Sequence, residues 1–420
     1  MNLVVVAPHF EPDVAATSSL VTRIVAELGA LGHRIEVFTA LPWYRELRIE
    51  PGYEGHLLRR EDTPWGRVTR VWPFPTSDKR KLVRRAASFA GFSSLVAGVG
   101  ARGPRVDAVL AVSPPLTLGL SGWGVAAARR APLVFNIQDV FPDVAVELGM
   151  LTNERLISAA RRLERFCYSR AATITVLSED QRQNVAAKTG RPVRVIPNFV
   201  DTEAVRPADR ENAYRKEFGL EDKTVVMYAG NIGLSQSLDL VLEAASALSY
   251  EPDLVFVING DGAERAALES KARGMSNVRF IDMQPFERVA EVYNAADIQL
   301  VPLKRGLARS SVPSKTYSIL AVGRPLIASV DEGSEIQRVL EQSGAGIAVP
   351  PEDPEAFTKA IRRLLDAPDE ARRMGEAGRR FVEGWASPAA VARSYEQLFE
   401  ELSAFSPRNP QSTADSSLRT

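Results

Sequence analysis

Short apolar runs alternate with amphipathic stretches along most of the chain, and that alternation predicts its elements. Residues 3–7 form a solid apolar run, as expected of a strand buried on both faces. Residues 20–31 carry apolar positions at helical spacing and stop at Gly32; residues 34–39 read as a second strand. Residues 52–60 and 66–73 are β-rich. Strand and helix patterns then follow one another through 106–112, a helix after Pro115, 132–137, 154–170, 172–177, 179–188 and 193–196. Strands separated by helical segments imply βαβ units and a parallel sheet. Residues 198–210, preceded by Pro197 and holding Pro207 among mixed charges, break the pattern and read as a linker. A second alternating series runs through 224–229, 238–248, 253–258, 264–273, 278–281, 287–295, 298–301, 315–322, 325–329, 335–341, 346–349 and 354–366.

Each half thus has enough strands for its own doubly wound sheet. The expected layout is an α/β domain over 1–200, a second over 211–385, a C-terminal helix over 386–404 packing back on the first domain, and a polar, disordered tail over 406–420. Two such lobes in tandem put a ligand, by default, in the cleft between them, at the carboxyl ends of the strands.

Composition narrows the class. Fifty-two basic residues cancel 52 acidic ones, which argues against a nucleic-acid binder. A single cysteine, Cys167, leaves no intramolecular disulfide framework and fits a reducing cytosol. One Cys and three His (His9, His33 and His56) do not suit a structural zinc site. The opening MNLVVVAPHF has no basic n-region and reaches Pro8 too soon for a signal peptide. The uncharged run 108–128 contains Pro114-Pro115 and reads as a buried strand, a turn and a core helix rather than a membrane span.

The chemistry is narrowed first by missing motifs. The sequence has no G-x-x-x-x-G-K-[ST], no G-x-G-x-x-G after the first strand, no G-x-S-x-G, no H-E-x-x-H and no Asp-x-Asp to hold a metal against a diphosphate. Three strand-to-helix loops stand out. In Tyr228-Ala-Gly-Asn-Ile-Gly233, Gly230 and Gly233 let backbone amides approach a phosphate ahead of a helix N-terminus, or serve a plain turn. In Arg309-Ser-Ser-Val-Pro-Ser-Lys-Thr-Tyr317, Pro313-Ser314 signals a helix start and puts Lys315 in the first turn, with Arg309 near. A lysine there opposes the helix dipole by a few tenths of a kcal/mol. A charge-assisted bond to an anion, roughly 1.5–3 kcal/mol, outweighs that penalty. In Asn259-Gly-Asp-Gly262 the loop presents backbone groups to a base or ribose, or Asp261 caps the following helix; taken alone, the cap reading wins. In the first half, Phe10-Glu-Pro-Asp-Val-Ala-Ala16 and Gln138-Asp-Val-Phe-Pro-Asp143 also follow strands, and Asp139 or Asp143 can reach an acceptor hydroxyl or cap a helix.

Together these motifs resemble the retaining GT-B glycosyltransferases of family 4, and within them the bacterial cell-surface polysaccharide enzymes similar to N-acetyl-L-fucosaminyl transferases of O-antigen and colanic-acid synthesis. The matching strings are FEPDVAATSSL, GHRIEVFTALPWY, SPPLTLGLSG, QDVFPDVAVELGML, LERFCYSRA, VIPNFVD, YAGNIGLSQSLDLVLEAA, NGDGAER, ADIQLVPL, SVPSKTYSILAVGRPLIASVDEGSEI and VPPEDPEAF. The resemblance implies two Rossmann-like domains facing across a cleft, the first binding the acceptor and the second a nucleotide-diphosphate sugar, UDP-linked by likeness to the subgroup. It implies that residues 230–233 (Gly230, Asn231, Ile232, Gly233) and Pro313, Ser314 and Lys315 hold the diphosphate, with Arg309 and Gln236 beside them. Asp261-Gly262 would lie by the nucleoside and Ser318 by the ribose, and Asp139 beside the acceptor. Lys315 and Asp139 are then the catalytic candidates: in a front-face reaction the departing phosphate oxygen takes the acceptor proton, and Lys315 stabilises the diphosphate charge. Ser310 and Ser318 stand where the broader family has two glutamates, Asn231 and Gln236 where it has arginine and lysine, and Ala15-Ala16 where many relatives have glycines.

The expected activity is therefore metal- and cofactor-independent transfer of a sugar such as N-acetyl-L-fucosamine to a lipid-linked or saccharide acceptor in cell-surface polysaccharide synthesis. The alternative is a catalytically silent sugar-nucleotide-binding subunit of the same fold, suggested by Ser310 and Ser318. Placement is expected to be cytoplasmic and peripheral at the inner membrane face. The basis is the acid-free segment 79–105, with Lys79, Arg80, Lys81, Arg84, Arg85, Arg102 and Arg105 beside an apolar helical face of Phe89, Phe92, Leu95 and Val96.

Overall fold

The computed structural model describes residues 1–75, 82–147, 151–306 and 315–404. The chain divides into two compact units, one formed by Met1–Asn198 with the chain from Val391 onward, the other by Phe199–Ala390.

The first unit opens with β1 (Asn2–Val6), α1 (Ala16–Ala30), β2 (Arg34–Ala40), β3 (Leu58–Thr63), β4 (Gly66–Val71) and α2 (Leu82–Gly100). It continues with β5 (Ala108–Ser113), α3 (Leu118–Arg129), β6 (Leu133–Ile137), α4 (Asp143–Glu147), α5 (Glu154–Arg170), β7 (Thr173–Val176), α6 (Glu179–Ala186) and β8 (Val193–Val195). Its sheet has the order β3-β4-β2-β1-β5-β6-β7-β8. All described pairings are parallel except the edge hairpin β3–β4. Helices on both faces bury the central strands, which is why they read as solid apolar runs rather than alternations. Val4 of β1 pairs with Glu36 on one side and Val109 on the other. The chain leaves β1 toward β2 and later returns to β5 on the opposite side, so the topological switch point lies between β1 and β5.

The uncharged run 108–128 becomes β5 and the core helix α3, and among the described residues no helix is long and apolar enough to cross a membrane. Phe92 and Val96 of α2 are 3% and 0% exposed and pack into the first unit's core. This corrects the expectation that they offer an apolar face to a membrane: the sheet needs that face as cover. Lys79, Arg80 and Lys81 lie outside the described residues, as do the side chains of Arg84 and Arg85.

The second unit contains α7 (Ala213–Glu217), β9 (Thr224–Ala229), α8 (Asp239–Ala247), β10 (Leu254–Asn259), α9 (Arg265–Lys271), β11 (Val278–Ile281), α10 (Val289–Asn294) and β12 (Ile298–Pro302). It goes on through α11 (Lys315–Ala321), β13 (Leu326–Ser329), α12 (Glu335–Ser343), β14 (Gly346–Val349), α13 (Pro354–Asp366) and α14 (Pro368–Trp385). Its all-parallel sheet has the order β11-β10-β9-β12-β13-β14, the doubly wound 3-2-1-4-5-6 arrangement, with its switch point between β9 and β12.

The segment read as a linker is in fact packed. Val200 and Val205 are buried in the second unit's core, and the Val200 amide donates to the Ala386 carbonyl at 3.0 Å. The Arg379 guanidinium donates to the Thr202 and Val205 carbonyls, each at 3.0 Å. Prolines and charges report the local backbone, whereas two valines are enough to anchor the segment. Helix α15 (Pro388–Ala404) is tied, from Val391 on, to the first unit. Asn136 Nδ2 donates to Tyr395 Oη at 3.0 Å, and His33 and Arg194 meet Glu396 and Glu401 at 2.9 and 2.6 Å.

Candidate functional site

Strand β9 ends at Ala229 and leads into residues 230–233, and its neighbour β10 ends at Asn259 and leads into residues 260–262; Gly230, Gly260 and Gly262 all have positive φ. The amides of Gly230 and Ile232 donate across to the carbonyls of Asn259 and Asp261 at 2.9 and 2.8 Å. The Asn231 and Gly233 amides take no part in this pairing. Neither has a hydrogen-bond partner among the described residues, so these two donors are the ones left for a ligand. The loops approach so closely that a Cβ at position 260 would lie 1.9 Å from the Gly230 oxygen, and one at 262 would lie 2.3 Å from the Ile232 oxygen. Glycine is required at both.

On the other side of the switch point the chain leaves β12 and, after a segment outside the described residues, enters α11 at Lys315. Its Nζ stands 3.9 Å from the Tyr228 ring centroid, and a Cβ at Gly230 would lie 3.4 Å from it. No carboxylate pairs with Lys315 among the described residues. Burial pulls its ammonium down to about 7, because water is lost and no counter-charge replaces it. Tyr228 is buried in β9 and donates its hydroxyl to the Asn231 carbonyl at 2.5 Å, which sets the loop's shape under the lysine. Nothing in the pattern of β9 separates Tyr228 from the other buried strand residues, so its place beside Lys315 is not legible in the sequence.

Ser318 is half-buried one turn along α11 from Lys315, three residues on and hence on the same helical face. Gln236 is held beside Leu303 by an antiparallel bridge; its Nε2 donates to Ser235 Oγ at 3.1 Å, and its Oε1 is buried with no partner among the described residues. Asp261 is exposed, and among the described residues its carboxylate accepts only the Gly262 amide, at 2.8 Å. Helix α9 starts after Glu264 without a side-chain cap, so the expected capping role of Asp261 is not found: the backbone enters the helix too far beyond it. Arg309, Pro313 and Ser314, together with Ser310, lie outside the described residues.

Asp139 belongs to the first unit, in the loop after β6. Its side chain is exposed toward solvent, and partial burial raises its carboxyl above the ordinary value. Asp143 is otherwise engaged. Burial would raise its carboxyl, but Lys188 at 2.6 Å and Asn184 at 3.1 Å outweigh that and hold it below the usual range. Of the two aspartates, only Asp139 remains open to a hydroxyl. Among the described residues no group of three or more His, Cys, Asp or Glu is placed to hold a metal ion.

Comparison with known proteins adds a second line of evidence. Residues 17–198 match the glycosyl transferase 4-like domain, and residues 223–367 match glycosyl transferases group 1. The chain is 29% identical over 383 residues to the putative colanic acid biosynthesis glycosyl transferase WcaI of Escherichia coli K12, covering 88% of this chain and 93% of that protein. Among solved structures, sucrose-phosphate synthase from Thermosynechococcus elongatus superposes with a TM-score of 0.64 at 20% identity, covering 96% of this chain and 99% of that one. HepE from Anabaena in complex with UDP-glucose superposes at 0.61 with 12% identity, covering 96% of this chain and 100% of that one.

Proposed function

Since the chain belongs to the GT-B glycosyltransferases of the group 1 and 4-like families, we propose that it takes a sugar from a nucleoside-diphosphate donor held by the second unit. The acceptor is a saccharide or lipid-linked saccharide held by the first unit, and the product belongs to cell-surface polysaccharide synthesis. The observation that carries this reading is Lys315: a desolvated ammonium with no carboxylate partner among the described residues, set against Gly230 beside two unpartnered amides. Such a cation gains a charge-assisted hydrogen bond from a bound phosphate. A departing diphosphate accumulates negative charge as the glycosidic bond breaks, so Lys315 stabilises the transition state more than the ground state. Asp261 and Gly262 lie toward the nucleoside and Ser318 toward the ribose.

The donor is UDP-linked in this proposal, supported by the UDP-glucose bound to HepE, and the colanic-acid relative supports a cell-surface product. N-acetyl-L-fucosamine or a related amino or deoxy sugar is the proposed cargo, transferred with retention as the departing phosphate oxygen takes the acceptor proton. Asp139 holds an acceptor hydroxyl. No metal or cofactor takes part, because Lys315 supplies the positive charge. Contact with the inner membrane face rests on charge alone, on the basic segment 79–105, since Phe92 and Val96 are committed to the core.

Titration calorimetry with UDP, GDP and a panel of their sugar conjugates, followed by a turnover assay in EDTA, tests the proposal. UDP and one UDP-sugar are expected to bind, and nucleotide release is expected to persist in chelator. Absence of nucleotide binding would overturn the reading, and turnover lost in EDTA and restored by magnesium would overturn its metal-free form.

A further inference from the structure

The first unit has its own constellation at its own switch point, and nothing in the proposed donor chemistry uses it. His9 follows β1 by three residues, and its Nδ1 lies 2.6 Å from Asp13 Oδ2. Asp13 is 2% exposed, and its other oxygen accepts the amides of Val14, Trp43 and Tyr44 at 3.1, 3.2 and 2.9 Å. Burial works to raise this carboxyl, but the bond and charge of His9 and the two amides of the 43–44 turn outweigh it. Asp13 is therefore a fixed anion that can only accept, and the proton of a neutral His9 must sit on Nδ1. In that neutral ring Nε2 is the acceptor, whereas in the imidazolium it donates. It has no partner among the described residues, and the ring keeps 15% of its side-chain surface open.

Two aromatic side chains flank it. The Trp43 ring stacks at 28° with its centroid 6.3 Å from that of His9, and Tyr44 meets His9 edge-on at 5.0 Å. Tyr44 is 42% exposed although it is large and apolar over most of its area. Next to β1 in the sheet, β5 ends at Ser113, whose Oγ is buried without a partner among the described residues. In doubly wound sheets the crevice at the carboxyl ends of the strands on either side of the switch point is where ligands bind. A flat aromatic face gives a pyranose ring apolar contact through its axial C–H bonds, and an oriented imidazole nitrogen accepts a hydroxyl hydrogen.

We infer that His9, held in one tautomer by Asp13 and flanked by Trp43 and Tyr44, is a saccharide subsite of the first unit. His9 Nε2 accepts a hydrogen bond from a sugar hydroxyl, and the aromatic pair covers the sugar ring. The inference deepens the glycosyltransferase reading, in which this unit holds the acceptor, and assigns the residues that hold it. A purely structural role for the pair would end at Asp13, which ties the 43–44 turn to β1 and needs nothing from Nε2.

The experiment uses full-length protein with 15N-labelled histidine, observed by NMR during titration with methyl glycosides of glucose, galactose and N-acetylglucosamine at millimolar concentration. His9→Asn identifies the His9 signals among the three histidines. Before titration His9 is expected to show the Nδ1–H tautomer. At least one glycoside is expected to shift its Nε2 resonance while leaving His33 and His56 unmoved. Trp43→Ala should weaken that glycoside's apparent affinity roughly tenfold. An Nε2–H tautomer, or an Nε2 resonance indifferent to all three glycosides, overturns the subsite. UDP binding measured on the same sample separates the two ideas: intact UDP binding with a silent His9 rejects the subsite alone, whereas loss of both rejects the donor reading as well.

Discussion

Lys315 illustrates how a residue's chemistry depends on what surrounds it. As a letter after Pro313-Ser314 it is a first-turn lysine; in the fold it is a half-buried ammonium, partly desolvated, over Tyr228. With a value near 7 in the free protein, it is largely neutral at pH 8, and a bound diphosphate favours its charged form. UDP, itself fully ionised at that pH, should therefore draw in about one proton on binding. The uptake is read from the dependence of calorimetric heat on buffer ionisation enthalpy, and it should vanish in Lys315→Ala; uptake that persists in the variant would remove Lys315 from the anion site. The same substitution should lower donor turnover by roughly 10²–10³-fold, as loss of one preorganised donor to a developing anion does. The sign for stability follows from linkage. An unfolded lysine titrates at ~10.4, so from about pH 7 to that value the unfolded chain binds the extra proton and the fold gains stability as pH rises.

At the scale of elements, two loops behave as one. The 230–233 and 260–262 segments continue the β9–β10 ladder beyond the strands, and Gly260 is where their backbones touch. Gly260→Ala should destabilise the second unit by about 1–3 kcal/mol, because the new methyl meets a carbonyl oxygen that has no rotamer to escape by. Chemical denaturation read through tyrosine and tryptophan fluorescence checks this. An unchanged midpoint would mean the loops separate freely. Part of this pair was legible in advance. Glycines after strands marked both turns, but spacing alone did not tell which amides face a ligand, because that depends on the partner strand. The reverse happened at 198–210, where prolines implied a linker and two buried valines made a packed entry to the second unit.

At the scale of the whole molecule, the chain returns at its end to the unit with which it began. Helix α15 brings Tyr395 to Asn136 and Glu396 to His33, contacts more than 250 residues apart in sequence. Removing residues 391–404 should lower the thermal transition of the first unit while UDP still raises that of the second; scanning calorimetry with and without UDP reads both. Equal loss in both units would mean that the helix stabilises the chain in some other way. The sequence by itself determined the two doubly wound sheets, the strand-end positions of the candidate loops and the family, because buried parallel strands leave solid apolar runs and tight turns leave glycines. Only the tertiary structure decided which groups in those loops are available. It engaged Asp143 with Lys188, left the Asn231 and Gly233 amides without partners among the described residues, buried Phe92 and Val96 of α2 and set Tyr228 beneath Lys315. Desolvation and hydrogen-bond satisfaction are properties of neighbours in space, and spacing along a chain does not encode them.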